Sequence, residues 1–128
     1  MIKEIIDSLI AQLPKSVDTV KTADRYRGEF EENSEWNPVF PSVFFQVNEF
    51  KPEGLMSDGR TVKKRVFLTV YCANEYEAAE LAESVYDFLD GIAVMDESGV
   101  YRNMSCTGGK LHGWFQRVEV YKIEVTII

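Results

Sequence analysis

The fold is decided by residues Arg65–Cys72, which read RVFLTVYC. Apolar side chains occupy every second position of this run, a spacing typical of a half-buried β-strand. These positions are Val66, Leu68, Val70 and Cys72. An earlier run, Val43–Asn48, alternates in the same way, and Pro41 and Pro52 are predicted to set its two ends. The turn chemistry of Lys51–Thr61 (KPEGLMSDGRT) then predicts a long antiparallel hairpin with a projecting tip.

Two amphipathic helices are predicted on either side of this hairpin. The stretch Ile2–Leu13 carries isoleucines and leucines at i, i+3, i+4 and i+7, and Pro14 is expected to stop the helix there. The second helix is predicted to begin at the N-cap Asn74, with Glu77 closing a capping box. Gly91 is a typical residue for ending it.

The rest of the chain predicts three further strands. Val17–Ala23 alternates weakly, Val100–Thr107 alternates well, and Thr107–Gly113 (TGGKLHG) is predicted to turn the chain into a last strand, Val118–Ile127. That last strand changes parity along its length, which predicts a β-bulge near Tyr121 or Lys122. This order of elements predicts an α+β domain spanning residues 1–128. Its sheet is expected to be antiparallel or mixed, with four to five strands and two helices packed on one face.

The composition of the chain excludes several classes of protein. The 128 residues carry a formal charge of −7, and 45% of them are apolar, which describes a globular domain rather than a disordered chain. No apolar run approaches the roughly 20 residues of a membrane helix, so no membrane association is expected. The first residues include Lys3, Glu4 and Asp7 and do not resemble a secretory signal, so a cytosolic location is expected. The acidic balance disfavours sequence-specific binding to nucleic acid.

The motifs of enzymes are not found. His112 is the single histidine, and a catalytic partner for it cannot be named from the sequence. Cys72 and Cys106 do not form a CxxC pair and are predicted to be buried thiols. The sequence Thr107–Lys110 (TGGK) lacks the spacing of a phosphate-binding loop. We therefore expect no catalytic residues, no metal and no cofactor.

The candidate functional residues lie in two charged segments. Asp24–Pro41 is long for a loop and combines five acidic residues with four aromatic ones. Its candidate interface residues are Tyr26, Phe30, Glu31, Glu32 and Trp36. The basic cluster at the start of the second hairpin strand comprises Arg60, Lys63, Lys64 and Arg65. The alternative, purely structural interpretations are that the aromatic side chains pack back on the sheet and that the basic side chains protect an exposed strand.

Four features in order identify a family that the chain resembles. They are the apolar-striped amino-terminal helix, the strand entry Pro38–Val43 (PVFPSV), the long hairpin reaching Arg65–Tyr71, and the helix beginning Glu75–Ala79 (EYEAA). With these features the chain resembles the small tail-completion proteins of tailed bacteriophages, particularly the tail terminators of Mu-like and lambda-like phages. The resemblance runs from Ile2 to the strand ending Val125, Thr126 and Ile127, and it rests on element order, size and pattern.

This resemblance implies a structural, non-enzymatic subunit of a phage or prophage. Copies of the chain would form a ring, expected to be sixfold, that ends the tail tube and meets the head-completion proteins. The protein would be found in the host cytoplasm during assembly and afterwards in the virion tail. A head-to-tail ring needs two different complementary surfaces, and the two charged segments are candidates for them.

Three other functions are compatible with the sequence. The first is a neck or head–tail connector subunit of the same virion. The second is an enzyme or ligand-binding domain whose lid is the segment Asp24–Phe40 and whose pocket residues are Tyr26, Trp36 and His112. The third is a nucleic-acid binder that works through Arg60–Arg65.

Overall fold

The computed structural model describes residues 2–26, 39–55, 61–75, 77–95, 99, 101–115 and 118–127; within them, the side chains of residues 2, 49–55, 61–65 and 114–115 are not described. The elements in chain order are α1 (Ile2–Ser16), β1 (Thr22–Arg25), β2 (Ser42–Leu55), β3 (Thr61–Glu75), α2 (Ala78–Leu89), β4 (Ala93–Met95), β5 (Tyr101–Phe115) and β6 (Val118–Ile127).

The strands form one mixed sheet in the order β1-β2-β3-β6-β5-β4. β1 pairs with β2 in parallel, and every other pairing is antiparallel. The α+β class is therefore confirmed, and the parallel pairing of β1 makes the predicted, mainly antiparallel sheet a mixed one. The expected number of four to five strands is too low for this six-stranded sheet, because the three-residue β4 is too short to show alternation in the sequence.

Both helices pack on the same face of the sheet. The apolar stripe of α1, including Ile5, Leu9 and Leu13, lies in one buried cluster with Leu81, Val85 and Leu89 of α2. The strands contribute Val43, Phe45, Val66, Leu68, Val70, Cys72, Met104, Cys106, Ile123, Val125 and Ile127. The alternating positions of Arg65–Cys72 thus face the core as predicted.

The first helix ends later than predicted, and the first strand begins later than predicted. α1 continues through Pro14 to Ser16, and the N–H of Val17 donates to the carbonyl of Leu13 at 2.8 Å. Proline disfavours helical angles before it, but the burial of Leu13 against the sheet overrides that preference. Val17 and Val20 are core residues of a turn, joined by a hydrogen bond of 3.1 Å, which explains their weak alternation.

The second helix begins after the predicted cap. Asn74 lies in β3, paired with Glu119, and its side-chain oxygen accepts a hydrogen bond from the Glu75 N–H at 2.8 Å. Glu77 is the N-cap residue of α2 and makes no side-chain capping bond. The predicted capping box is therefore wrong, because strand pairing extends to Glu75. The end is as predicted, since Gly91 follows the helix with a φ of +83°.

The predicted bulge in the last strand is also wrong. β6 pairs with β3 in an unbroken register from Val118 to Ile127. Its parity change occurs because β6 is buried on both faces: Ile123 lies in the core under the helices, whereas Val118 and Val120 lie in a second cluster. The irregularities are on the neighbouring strand, between Thr107 and Lys110 and between Leu111 and Gly113. The predicted turn TGGKLHG is therefore an irregular part of β5.

The long hairpin is confirmed as the pairing of β2 with β3. The prediction that β2 ends at Pro52 is wrong. The strand continues to Leu55, and Pro52 lies opposite Lys64. The register shifts once, between Val47 and Glu49.

Candidate functional site

Of the nine candidate interface residues, Tyr26 is the one whose side chain the structure describes. Lys63, Lys64 and Arg65 have a described backbone in β3, where they pair with Glu53, Pro52 and Lys51 respectively. The predictions for Phe30, Glu31, Glu32, Trp36 and Arg60 lie outside the described residues.

Tyr26 lies just beyond the end of β1, against the sheet face opposite the helices. Its N–H donates to the carbonyl of Phe45 at 3.0 Å, which continues the pairing of β1 with β2. Its ring stacks on that of Tyr71, with centroids 4.3 Å apart and planes 18° apart. Tyr26, which belongs to the acidic segment Asp24–Pro41, therefore has a fixed position over the middle of the sheet.

Tyr71 is the centre of an aromatic group. Its hydroxyl donates to Oε1 of Gln46 at 2.9 Å, and the ring of His112 meets it edge-on at 5.3 Å. Tyr71 is buried, whereas His112 is exposed. Two of the three residues named for a ligand pocket, Tyr26 and His112, thus both contact Tyr71.

A second apolar cluster underlies this aromatic group. It contains Phe44, Tyr71, Ala73, Val118 and Val120, against which Tyr26 and Phe40 pack. Phe44 and Ala73 are fully buried although they lie on the face away from the helices. We call this face, with Tyr26, Tyr71 and His112, the aromatic face. Because side chains are buried on this face as well as under the helices, the middle of the sheet is an interior layer.

Two lysines lie directly opposite each other beside the aromatic group. Lys110 of β5 pairs with Lys122 of β6, and Lys122 in turn lies opposite Tyr71 of β3. Residues opposite one another across a sheet point to the same face, so both lysines share the aromatic face. The Nζ of Lys122 is 4.0 Å from a carboxylate oxygen of Glu124, an ion pair exposed to solvent. Such a pair contributes at most about 1 kcal/mol and leaves the patch basic.

The hairpin carries an arm that extends past the rest of the sheet. The pairing of β3 with β6 begins at Val66, opposite Ile127, so within the described chain Thr61–Arg65 pairs with β2 alone. We define the arm as residues 50–55 and 61–65. Its backbone places the basic residues Lys63–Arg65 outside the helix-covered core, in the strand that follows the predicted tip Lys51–Thr61.

Both cysteines are buried, as the sequence predicted, and neither is bonded to the other. Burial raises the pKa of the Cys72 thiol well above its ordinary range. Burial, with a smaller contribution from Asp90, raises the pKa of Cys106 to about 12. Asp90 also accepts a hydrogen bond from the Cys106 N–H at 3.0 Å, which attaches the end of α2 to β5. These thiols are protonated at neutral pH and have the character of core residues.

A cavity of about 260 Å³ lies between α2 and the irregular part of β5. Ala82, Tyr86, Gly109 and Tyr121 are among its lining residues, and a Cβ added at Gly109 would lie 3.5 Å from the Cβ of Ala82. Tyr26 and His112 are not among its described lining residues, and the third predicted pocket residue, Trp36, lies outside the described part of the chain.

Other kinds of site are not found in the described part of the chain. No group of three or more His, Cys, Asp or Glu residues there could hold a metal ion. No helix among those residues is long and apolar enough to cross a membrane.

Tyr71, Lys110 and Lys122 are not recognisable as functional candidates from the sequence. Alternation had placed Tyr71 opposite the core, but its neighbours depend on the pairing of β3 with β6, which the sequence does not encode locally. The prediction of a turn at TGGKLHG also concealed the pairing of Lys110 with Lys122.

Comparison with known proteins gives no relative: no family model matches the chain, and no curated protein matches it. Function is therefore inferred from the sequence pattern and from the geometry of the described residues.

Proposed function

We propose that the chain is a structural protein of a phage or prophage, a tail terminator whose copies form a ring at the end of the tail tube and join it to the head. The order of elements on which the resemblance rests is present: helix, strand, long hairpin, helix, strands. The observation that carries the proposal is the arm, which extends beyond the sheet of its own subunit.

Among the described residues, no third strand of the sheet pairs with the arm. Five residues of β3, Thr61–Arg65, pair with β2 alone within the described chain, a length of about 16 Å at the usual rise of a strand. A two-stranded hairpin by itself is marginally stable in water. A neighbouring subunit in a ring supplies a surface for it, and an arm on one side of the subunit with a receiving surface elsewhere is the arrangement that head-to-tail closure requires.

The partners of this ring are the tail tube on one side and the head-completion proteins on the other. The subunit is non-enzymatic, assembles in the host cytoplasm and is carried in the virion tail. A neck or head–tail connector subunit of the same virion would use the same arm. Binding to isolated tail tubes favours the terminator, whereas binding to portal-bearing heads alone favours the connector.

The test is the mass of the purified protein by light scattering after size exclusion, over a series of concentrations, with negative-stain images of the heaviest species. We expect closed rings, sixfold in projection. The matched variant replaces residues 52–64 with Asn-Gly, which joins the opposed residues Lys51 and Arg65 by a two-residue turn.

The shortened variant is expected to remain folded, with an unchanged urea midpoint, and to stay monomeric. Rings formed equally well by the shortened variant would show that the arm does not carry assembly. A full-length chain that stays monomeric at every concentration and does not bind tail tubes would contradict the proposed function itself.

Binding of a small ligand is a second candidate function. It is favoured because Tyr26 and His112 both contact the ring of Tyr71. A ligand that stacks on this group would raise the melting temperature of the wild type and not of Tyr26→Ala. A screen of aromatic and anionic metabolites with both proteins checks this candidate.

A further inference from the structure

The cavity between α2 and β5 is lined by aromatic rings, a carboxylate and exposed backbone. The half-buried Tyr86 and Tyr121 line it together with the exposed Glu83. Gly108 and Gly109 also line it, and in the register of β5 with β6 neither glycine has an opposite residue. Aromatic rings and carboxylates are the groups with which proteins bind ammonium and guanidinium ions. The cavity therefore fits a basic group.

The charges around the cavity are negative. α2 carries three acidic residues and no lysine or arginine. Within the described chain, the carboxylate of Glu83 forms no ion pair. The pKa of the Tyr86 hydroxyl is raised, above all by the carboxylate of Asp90. Lys110 follows Gly109 along β5 but shares the opposite face of the sheet with Lys122, so its charge does not neutralise the cavity.

The size of the cavity favours side chains of a protein partner over a free ligand. Its volume of about 260 Å³ is below the range of about 300–1,000 Å³ that is usual for pockets of small molecules. Gly109 keeps the space open, because a Cβ there would lie 3.5 Å from the Cβ of Ala82. The occupant that fits is therefore one or two long basic side chains.

The arm matches this cavity in charge. Residues 50–55 and 61–65 contain four basic residues against one acidic residue. The basic ones are Lys51, Lys63, Lys64 and Arg65, and the acidic one is Glu53. We propose that the cavity receives the basic residues of the arm from a second copy of this chain. This inference rests on the proposed function, to which it adds the surface that receives the arm.

The arm of the same subunit does not reach the cavity. Tyr121 of the cavity lies opposite Cys72, which is seven residues along β3 from Arg65, the nearest residue of that strand of the arm. Seven residues span about 23 Å at the usual rise of a strand. The ladder of β2 and β3 keeps one register from Glu49 to Leu55, so the arm continues away from the cavity and does not fold back. The occupant therefore comes from another copy, and an arm and a receiving cavity at separate places on one subunit allow head-to-tail closure.

The first experiment joins the two surfaces covalently. Ala79→Cys places a thiol on an exposed position that lines the cavity, and Thr61→Cys places one on the arm without changing its charge. Two versions of the full chain carry one substitution each. Treated with a bismaleimide, their equal mixture should give a cross-linked dimer on a denaturing gel, and each version alone should give much less of it. The native thiols, Cys72 and Cys106, are buried and contribute little background.

The second experiment reverses charge. Glu83→Lys brings like charges together at the contact, so we expect the concentration needed for half-assembly to rise about tenfold. Glu80→Lys is the matched control, because this glutamate is exposed on the same helix and lines a different cavity, so the variant should assemble like the wild type. The Glu83→Lys version should assemble again when mixed with a version that carries Lys63→Glu, Lys64→Glu and Arg65→Glu, because the cavity of each then matches the arm of the other.

The outcomes separate this contact from the proposed function. An unchanged urea midpoint shows that each variant is folded. Glu83→Lys rings at wild-type concentration, a charge-reversed mixture that stays dissociated, or cysteine versions that form rings without the cross-linked dimer would each overturn the docking surface alone. The arm would then contact another part of the neighbouring subunit. A monomeric wild type that also does not bind tail tubes would overturn both proposals.

Discussion

The ring of Tyr26 lies flat against that of Tyr71, with the two centroids 4.3 Å apart. This contact fixes the end of the short β1 on the aromatic face, where the hydroxyl of Tyr71 also holds Gln46. A stacked pair contributes about 0.5–1.5 kcal/mol beyond the area that it buries. The contact therefore fixes the position of Tyr26, which lies within the acidic segment Asp24–Pro41.

Replacement of Tyr71 by phenylalanine is expected to cost about 1 kcal/mol of unfolding free energy, the usual value of one hydrogen bond. The ring and its stacking on Tyr26 are kept, and the hydrogen bond to Gln46 is lost. Urea unfolding measures the cost. Tyr26→Ala is the comparison, since it removes the stack and keeps the Gln46 bond; a Tyr71→Phe variant as stable as wild type would show that this bond contributes nothing.

Replacement of Gly91 by alanine is expected to destabilise the fold by about 1 kcal/mol. Gly91 ends α2 with a φ of +83°, where a Cβ is strained although nothing lies within 4 Å of it. Gly108→Ala is the matched control, because that glycine also has open space and no positive φ. Thermal unfolding should separate the two variants, and equal melting temperatures would mean that the backbone at Gly91 is not constrained.

The two faces of β6 show what the sequence could predict and what it could not. Alternation identified the hairpin strands correctly, because one side of Arg65–Cys72 faces the helices and periodicity is a local property. The same rule failed at Val118 and Val120, because it assumes that one face of each strand is buried. Whether the second face is buried depends on Phe44 and Tyr71, which come from distant parts of the chain.

The prediction of a turn at Thr107–Gly113 (TGGKLHG) was wrong for a related reason. Gly108 and Gly109 are typical of a turn, yet here they lie in an irregular part of β5 that passes close to Ala82 of α2. For the candidate site, the sequence named Tyr26 and His112 but could not place them together, since Tyr71 joins them through tertiary contacts.

Because β6 is buried on both faces, shortening a valine on either face is expected to lower the unfolding free energy by the same amount. Val120→Ala and Val125→Ala remove the same atoms from the same strand, on opposite faces, at positions 4% and 2% exposed respectively. Each is expected to lose about 2 kcal/mol, as buried apolar side chains do. Chemical denaturation of both variants tests this, and a Val120→Ala protein with wild-type stability would mean that the aromatic face is not a buried layer.

The buried thiols predict a loss of stability at alkaline pH. The pKa of Cys106 rises from 9.0 to about 12 in the folded protein, so the unfolded chain ionises first. Stability is complete below pH 9 and falls as the pH rises from there towards 12, by about 1.4 kcal/mol per pH unit for each thiol. Urea midpoints between pH 8 and 10 measure this fall, which should be shallower in Cys106→Ala; identical slopes would contradict the shift.

Charge reversal on the arm is expected to weaken ring assembly while the monomer stays folded. The variant Lys63→Glu, Lys64→Glu, Arg65→Glu changes three consecutive residues of β3 that pair with β2 alone in the described chain, outside the helix-covered core. Opposite charges between subunits govern the encounter rate and specificity more than affinity, so the main loss should be in the rate of assembly. Light scattering after dilution from denaturant follows that rate, and circular dichroism checks the fold.

Because salt screens such charges, raising the salt concentration should slow assembly of the wild type towards the rate of the variant. A variant that assembles at the wild-type rate in low salt would show that the basic cluster plays no part in assembly and would leave strand protection as its role.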